Sequence, residues 1–334
     1  MAAFWNTFYF ESRLSRRLPH HGCCEQLSTA CAQKSRSNRC SVGQRTEHQP
    51  MDYPFVGAEA LAAGALTRGA LRWNYRAIQP GIYIPKAAQA DVLIQAKAAW
   101  LWSGRRAVIA GRAAAAMHGA RWVDTGTPIE IIGEHTRPRR GIIVREERIG
   151  TDEITAVGGV AVTTPARTAL DLARYLPRDS AVVHLDALAN ATGVTATRIL
   201  DLLATYPGAR GIRRAQVALA LMDAGAQSPR ETWLRLLLID AGLPAPRTQV
   251  RVSDGVQEAF LDMGYEEPKV GLDYEGAHHS SERRQYVRDI GRAEFIDSQG
   301  WVDIKVVAEH TRGFILHRVR EALIRRGWTL PKSA

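Results

Sequence analysis

The sequence has no cysteine after residue 50; its four cysteines are Cys23, Cys24, Cys31 and Cys40. A disulfide framework is therefore excluded for residues 51–334. Within the first fifty residues the spacing fits no standard zinc-binding pattern, because Cys23 and Cys24 are adjacent.

The sequence also lacks long hydrophobic runs. Its richest apolar stretch, AWLWSGRRAVIAG, is interrupted by two arginines and two glycines. About 18 uninterrupted apolar residues are needed to span a bilayer, so we expect no membrane partner and a cytoplasmic location.

Acidic residues are in deficit. There are 34 aspartates and glutamates against 44 lysines and arginines, which gives a net charge of +10 and a pI near 9.7. A basic protein favours polyanions such as DNA, because its cations displace counterions from phosphates. A merely solvated basic surface is the alternative.

Composition changes at Met51. Residues 1–50 are rich in Ser, Arg and Gln and contain no apolar core of a signal peptide, whereas the following segment is rich in Ala, Val, Leu and Gly. We therefore expect residues 1–50 to be a disordered leader or a misassigned start, with Met51 as the natural first residue.

Residues 51–86 predict a small winged helix-turn-helix. GAEALAAG indicates a helix that ends at Gly64, Thr67 is a suitable N-cap for a second helix over RGALRWNYRAI, and QPGIYIP predicts a turn and a strand. On the second helix one face would carry a basic residue every four positions, and we predict that it binds DNA through Arg68, Arg72 and Arg76. A basic helix face that is merely solvated, with no DNA-binding role, is an equally weighted alternative.

Residues 87–226 predict a mixed α/β domain. Its clearest signal is VAVTTPARTALDLARYL, a strand followed by a helix with Thr164 as N-cap and Pro165 in its first turn. Arg167 and Asp171 are spaced for an ion pair within this helix. No catalytic group is evident, so the region is interpreted as a scaffold or partner-binding surface that ends at Gln227.

Residues 228–334 begin with a well-signalled helix. Ser228 is its predicted N-cap, and Glu231 stands where the carboxylate of a capping box belongs. Three strand-like runs follow, RTQVRV, QEAFLDMGY and KVGLDYEG.

A cluster of acids is expected on these strands. Asp273 and Glu275 share one face of the third run, and Asp262 can approach them across a hairpin. Carboxylates from adjacent strands suit Mg²⁺, which would activate a water for phosphodiester hydrolysis. Surface carboxylates on an edge strand are the alternative.

The same segments resemble Vsr-like domains of the PD-(D/E)XK nuclease superfamily. The resemblance rests on SPRETWLRLLLIDAGL, AFLDMGYEEPKVGLDYEGAHH, QYVRDIGRAEF and SQGWVDIKVV. It implies a restriction-endonuclease-like core, a central mixed sheet flanked by helices, with Asp262 and Asp273 holding Mg (or Mn). The site residues it implies are Glu231, Asp262, Asp273, Glu275 and His279, supported by Asp289 and Arg292.

Two features depart from that family. Its members commonly read Glu-x-Asp-Gly where this chain has Asp273-Tyr274-Glu275-Gly276, so the two acids are exchanged. In the superfamily pattern a lysine follows two residues after the acid that Asp273 represents. That lysine is absent here, because Glu275 occupies its position. Lys269 lies on the same predicted strand, about 13 Å from Asp273 at ~3.3 Å per residue.

Residues 51–225 resemble AbiEi-type proteins, the antitoxin and transcriptional-repressor halves of toxin–antitoxin pairs. The resemblance rests on LAAGALTRGALR, QPGIYIP, AGRAAAAMHG and VTTPARTALDLA. It implies a DNA-binding module and a cognate toxin as a protein partner.

Three functions follow from these observations. The first is a metal-dependent endonuclease, with His279 as an acid or base. The second is a non-catalytic AbiEi-like antitoxin or regulator that uses a degenerate nuclease fold as a binding platform. The third is a basic α/β protein with no nucleic-acid role.

Overall fold

The computed structural model describes residues 52–133, 139–276 and 283–329, with the backbone alone at 283–286. The predicted leader, Met51 and the site residue His279 lie outside these ranges. Within them the protein is mixed α/β, as predicted, with eleven α-helices and three sheets. None of the helices in these ranges is long and apolar enough to cross a membrane.

The N-terminal module combines two short helices with a small antiparallel sheet. Thr67 accepts a hydrogen bond from the amide of Ala70 at 3.1 Å, so it caps the second helix as predicted. The strands pair in the order β1-β3-β2. The elements are β1 (Phe55–Val56), α1 (Gly57–Ala62), α2 (Arg68–Asn74), β2 (Tyr75–Gln79) and β3 (Ile82–Pro85).

The second predicted helix is wrong beyond Asn74. Tyr75 to Gln79 form strand β2, in which Arg76 pairs with Ile84 of β3. The aromatic and β-branched residues Tyr75 and Ile78 favour a strand, and Gly81 at φ +76° makes the turn that allows the hairpin to close. Arg76 is therefore not part of the helical face predicted from its spacing.

The middle region is a five-stranded sheet followed by helices. The strand order is β6-β5-β4-β8-β7, with β4–β8 and β5–β6 parallel. The elements are α3 (Val92–Trp102), β4 (Val108–Ala110), α4 (Gly111–Met117), β5 (Ile129–Ile132), β6 (Ile142–Arg145), β7 (Ile154–Val157), β8 (Val160–Thr163), α5 (Pro165–Tyr175), α6 (Arg178–Thr192), α7 (Ala196–Ala204) and α8 (Ile212–Ala220).

A buried ionic network surrounds Arg167 on α5. Its guanidinium donates to Asp171 at 3.0 Å, which confirms the ion pair predicted from their spacing. It also donates to Glu153 at 2.8 Å and to the hydroxyl of Tyr206 at 3.0 Å, and it lies 3.2 Å from Glu147. The side chain is 0% exposed, so this network connects α5 to three other segments inside the fold.

The C-terminal region is a four-stranded sheet of order β12-β11-β10-β9. Neighbouring strands are antiparallel except β11 and β12, which are parallel and are joined through a helix. The elements are α9 (Pro229–Asp240), β9 (Arg247–Ser253), β10 (Glu258–Tyr265), β11 (Val270–Tyr274), α10 (Arg283–Ser298), β12 (Val302–Val306) and α11 (Arg312–Arg325).

Helix α9 packs into two hydrophobic clusters at once. Leu234 and Leu238 pack with residues of the C-terminal sheet and α11, whereas Leu236 packs with helices α5 to α8. Arg235 lies 2.8 Å from Asp186 of α6, and both side chains are buried. The predicted boundary at Gln227 is thus followed at once by a helix that both regions share.

Candidate functional site

An open cleft of about 570 Å³ lies where β11 and β12 end and α10 passes over them. It contains both acids predicted to bind metal, Asp262 and Asp273. The residues that line it are Asp262, Asp273, Tyr274, Glu275, Gly276, Asp289, Ile290, Arg292, Ala293 and Lys305.

Asp262 and Asp273 lie where the backbone pairing of β10 and β11 stops, beyond the Met263–Leu272 pair. The amide of Asp262 donates to Asp273 Oδ1 at 2.9 Å, and the amide of Tyr274 donates to Asp262 Oδ2 at 2.7 Å. Each carboxylate thus satisfies a backbone donor of the opposite strand where the ladder ends. The predicted approach of these two acids is observed, and one oxygen of each has a structural partner.

Strand β12 supplies a lysine to the cleft. Lys305 is in register with Asp273, and its Nζ lies 2.8 Å from Asp273 Oδ2. Lys305 was not predicted from the sequence. Lys269 lies at the opposite end of β11 and donates to the carbonyl of Gln299 at 3.0 Å.

The signal for this lysine was present in the motif Asp303-Ile304-Lys305. An acid and a lysine two residues apart on a strand share one face. Asp303 makes an ion pair rather than a well-directed hydrogen bond, with Oδ2 3.0 Å from Lys305 Nζ.

Arg292 reaches the cleft from α10. Its Nη2 lies 2.7 Å from Asp273 Oδ2 and donates to the carbonyl oxygen of Phe260 at 2.5 Å. Two cations therefore share the same oxygen of Asp273. The predicted supporting residue Arg292 is in the cleft, and Asp289 also lines it.

The remaining predicted acids are placed differently. Glu275 lies at the rim, with its side chain 53% exposed and Oε1 3.6 Å from Lys305 Nζ. Glu231 is buried, does not line the cleft, and accepts from the amide of Gln227 at 2.8 Å. This contact is of the capping type that the sequence predicted, displaced by one residue from the N-cap Ser228.

Burial and neighbouring charges shift the pKa values of Asp262 and Asp273 in opposite directions. Burial raises the pKa of Asp262 to about 7, opposed by the amide of Tyr274 and assisted by the charges of Glu231 and Asp273. Burial alone would raise the pKa of Asp273, but Lys305, the amide of Asp262 and Arg292 hold it below its ordinary value. Asp273 is therefore the anion of the pair at neutral pH, and Asp262 is partly protonated.

The donor chemistry of the cleft suits a hard cation, because carboxylate oxygens are the ligands that Mg²⁺ prefers. However, no group of three or more His, Cys, Asp and Glu residues within the described ranges is arranged to hold a metal. A cation at Asp273 Oδ2 would also compete with Lys305 and Arg292. Metal binding by Asp262 and Asp273 stays a prediction.

A second candidate surface is the exposed face of α2. Arg68 and Arg72 are exposed on it, next to Trp73, and no residue of the helix is buried. Arg76, predicted to extend this face, lies on β2 and donates to the carbonyl of Ala88 at 2.9 Å. Two of the three predicted arginines therefore share the helix.

Comparison with known proteins identifies the middle region. Residues 107–223 match the AbiEi antitoxin C-terminal domain, a range that runs from β4 past α8. The resemblance to AbiEi proteins is therefore confirmed for these residues. The resemblance of the last hundred residues to Vsr-like nucleases has no support from the comparisons and stays a prediction.

Two curated relatives are uncharacterized proteins of Mycobacterium tuberculosis, MT2308 of strain CDC 1551 and Rv2248 of strain H37Rv. Each is 30% identical over 237 residues, which cover 70% of this chain and 85% of the relative. No solved structure matches the chain. The chain belongs to the same family as these two mycobacterial proteins and carries an AbiEi antitoxin C-terminal domain.

Proposed function

We propose that this protein is a DNA-binding transcriptional regulator of the AbiEi antitoxin type. The observation that carries the proposal is the order of its parts: an AbiEi antitoxin domain at residues 107–223 follows a helix–helix–hairpin module. The module presents Arg68 and Arg72 to solvent. The name of the matched domain also supports a cognate toxin as a protein partner.

The charge of α2 supports DNA as the ligand. Arg68 and Arg72 are four residues apart and so lie on one side of the helix. The helix has no acidic residue in its first turn and is followed by the β2–β3 hairpin. In helix-turn-helix proteins the second helix lies in the major groove. Guanidinium groups on such a face can bind phosphates and guanine edges.

Replacing both arginines, R68A with R72A, is expected to lower affinity about 10- to 100-fold for duplexes that wild type selects from a random pool. The slope of log affinity against log salt should fall by about 2, because two phosphate contacts are lost. Fluorescence anisotropy across a salt series measures both quantities.

The matched control is R213A with R214A, which removes the same charge from exposed positions of α8. This control should retain most of the affinity. Equal losses of affinity in the two double variants would show a general effect of charge. That result would contradict the assignment of α2 as the DNA-binding helix.

The cleft favours a second candidate function, metal-dependent hydrolysis of DNA phosphodiesters. The specific observation is the convergence of Asp262, Asp273 and Lys305 in one cleft. When bound, Mg²⁺ or Mn²⁺ would activate a water and offset charge on the phosphate. The chain would contribute Asp262 and Asp273 as ligands and Lys305 as a fixed positive charge.

For this second function, plasmid and single-stranded DNA are incubated with Mg²⁺ or Mn²⁺. If the cleft is catalytic, D273N and K305M should each reduce cleavage by about 100-fold or more, because D273N removes a charged metal ligand and K305M removes a positive charge beside the reacting phosphate. The control D201N changes an exposed acid on α7 and should cleave as wild type does. If wild-type protein forms no product with either metal, the hydrolysis candidate is rejected and the regulator function is the one that remains.

A further inference from the structure

Trp73 is the most exposed tryptophan in the described part of the chain, with 74% of its surface accessible. Within these residues only one other tryptophan, Trp122 at 45%, is counted among the exposed large hydrophobic residues. A single exposed apolar residue is common on protein surfaces, so exposure alone indicates little. The neighbours of Trp73 on α2 make its position informative.

The exposed face of α2 has a defined pattern. At about 100° per residue, Arg68, Gly69, Arg72 and Trp73 occupy one half of the helix. Ala70 and Leu71, which are half-buried, occupy the half that faces the protein. The exposed half therefore combines two guanidinium groups, an indole and a position without a side chain.

Gly69 is not required by packing within the protein. A Cβ built on it would meet only the hydroxyl of Thr67 at 3.8 Å, so the space outside the helix is open. Glycine is less favourable than alanine inside a helix. A glycine in the centre of an exposed face lets another surface approach the helix backbone closely.

The chemistry of this face suits one kind of partner. Guanidinium groups bind anions, and an indole packs favourably against an apolar group in contact with it. The major groove of duplex DNA presents both, because phosphates line its edges and the C5-methyl of thymine projects into it. Basic charge on the helix and the absence of acids in its first turn complement that groove.

We propose that Trp73 contacts a thymine methyl group in the major groove, while Arg68 and Arg72 hold the flanking phosphates or base edges. The proposal rests on the proposed DNA-binding function and adds to it a residue that determines specificity. Gly69 allows the helix to lie close enough to the bases for the indole to reach the methyl group.

The test uses duplexes that the full-length wild-type protein selects from a random pool. Each thymine is then replaced singly by deoxyuridine, which lacks only the C5-methyl group. At one position this change should lower wild-type affinity about fourfold, the effect of burying one methyl group. W73A should bind the thymine duplex about tenfold more weakly and should bind the thymine and deoxyuridine duplexes equally.

Two further variants support the measurement. W73F keeps an aromatic ring at this position and should retain part of the preference for thymine. L200A removes an exposed apolar side chain from α7 and should behave as wild type. Because Trp73 is largely exposed, W73A is expected to unfold at the wild-type temperature, which circular dichroism verifies.

Failure of this proposal is distinct from failure of the regulator function. If wild type selects no duplex, the regulator function is lost, and the thymine contact with it. If wild type selects a duplex and W73A binds it equally well, only the thymine contact is overturned. The same holds if W73A lowers the affinity for the thymine and deoxyuridine duplexes by the same factor relative to wild type. Binding to phosphatidylglycerol vesicles that W73A abolishes, with DNA binding unchanged, would assign the face to a lipid surface and overturn it too.

Discussion

Replacement of Arg167 by methionine is expected to lower the free energy of unfolding by about 3–5 kcal/mol. The arginine is 0% exposed and is the shared partner of Asp171, Glu153 and Glu147. Removing it leaves the buried Glu153 without its cation and leaves Asp171 and Glu147 with Arg174 alone. The cost of an uncompensated buried charge exceeds the worth of most surface ion pairs. Urea denaturation at pH 7 measures the change.

R178M is the control for this prediction. Arg178 is also ion-paired, with Asp179 and Asp240, but all three side chains are partly exposed. Its loss should cost less than about 1 kcal/mol, because water solvates the charges left behind. Similar losses in R167M and R178M would show that the Arg167 network has no special weight in the stability of the fold.

The loss in R167M should also depend on pH. Burial raises the pKa of Asp171 to about 6 even with Arg167 present, and without the arginine it should rise further. A carboxyl whose folded pKa exceeds its unfolded value stabilises the fold when protonated, and that stabilisation is lost as pH rises through the folded pKa. The deficit of R167M relative to wild type should therefore be smaller at pH 5 than at pH 8.

The second large effect is expected at the junction of α6 and α9. R235M should also lower the free energy of unfolding by about 3–5 kcal/mol, because it leaves Asp186 buried without its cation. It also removes a 2.7 Å hydrogen bond from Arg235 to the carbonyl of Leu221. Hydrogen exchange should show faster opening of α9 than in wild type, since this contact joins α9 to the preceding helices.

The control is on the same helix. Arg230 is exposed at the start of α9, where its guanidinium lies 5.9 Å from the centre of the Tyr274 ring, and R230M should change stability by less than about 1 kcal/mol. The double variant D186L/R235M should recover part of the loss, because removing both charges avoids an unpaired one. Recovery is partial since Asp186 also accepts from the amide of Asp223 at 2.7 Å. A fragment 228–334 that folds with native stability would contradict the shared role of α9.

Much of the candidate site could be anticipated. The approach of Asp262 and Asp273 followed from two adjacent strands and a short turn, and the contacts at 2.9 and 2.7 Å agree with it. Lys305 was missed because it is 32 residues from Asp273 and reaches it only through the parallel pairing of β11 and β12. Arg76 was misplaced because a spacing of four residues is informative only if the helix continues, and this helix ends at Asn74.

Local signals in the chain were sufficient for the mixed α/β class and for the beginnings of α2, α5 and α9. At each of these helices a threonine or serine accepts a hydrogen bond from the amide three residues later, an interaction that acts within one turn. The pairing of β11 with β12, the contact of Asp186 with Arg235 and the sharing of α9 by two clusters were decided by tertiary structure alone. These contacts join residues tens of positions apart, and their formation depends on burial and packing of the whole chain, which no local pattern encodes.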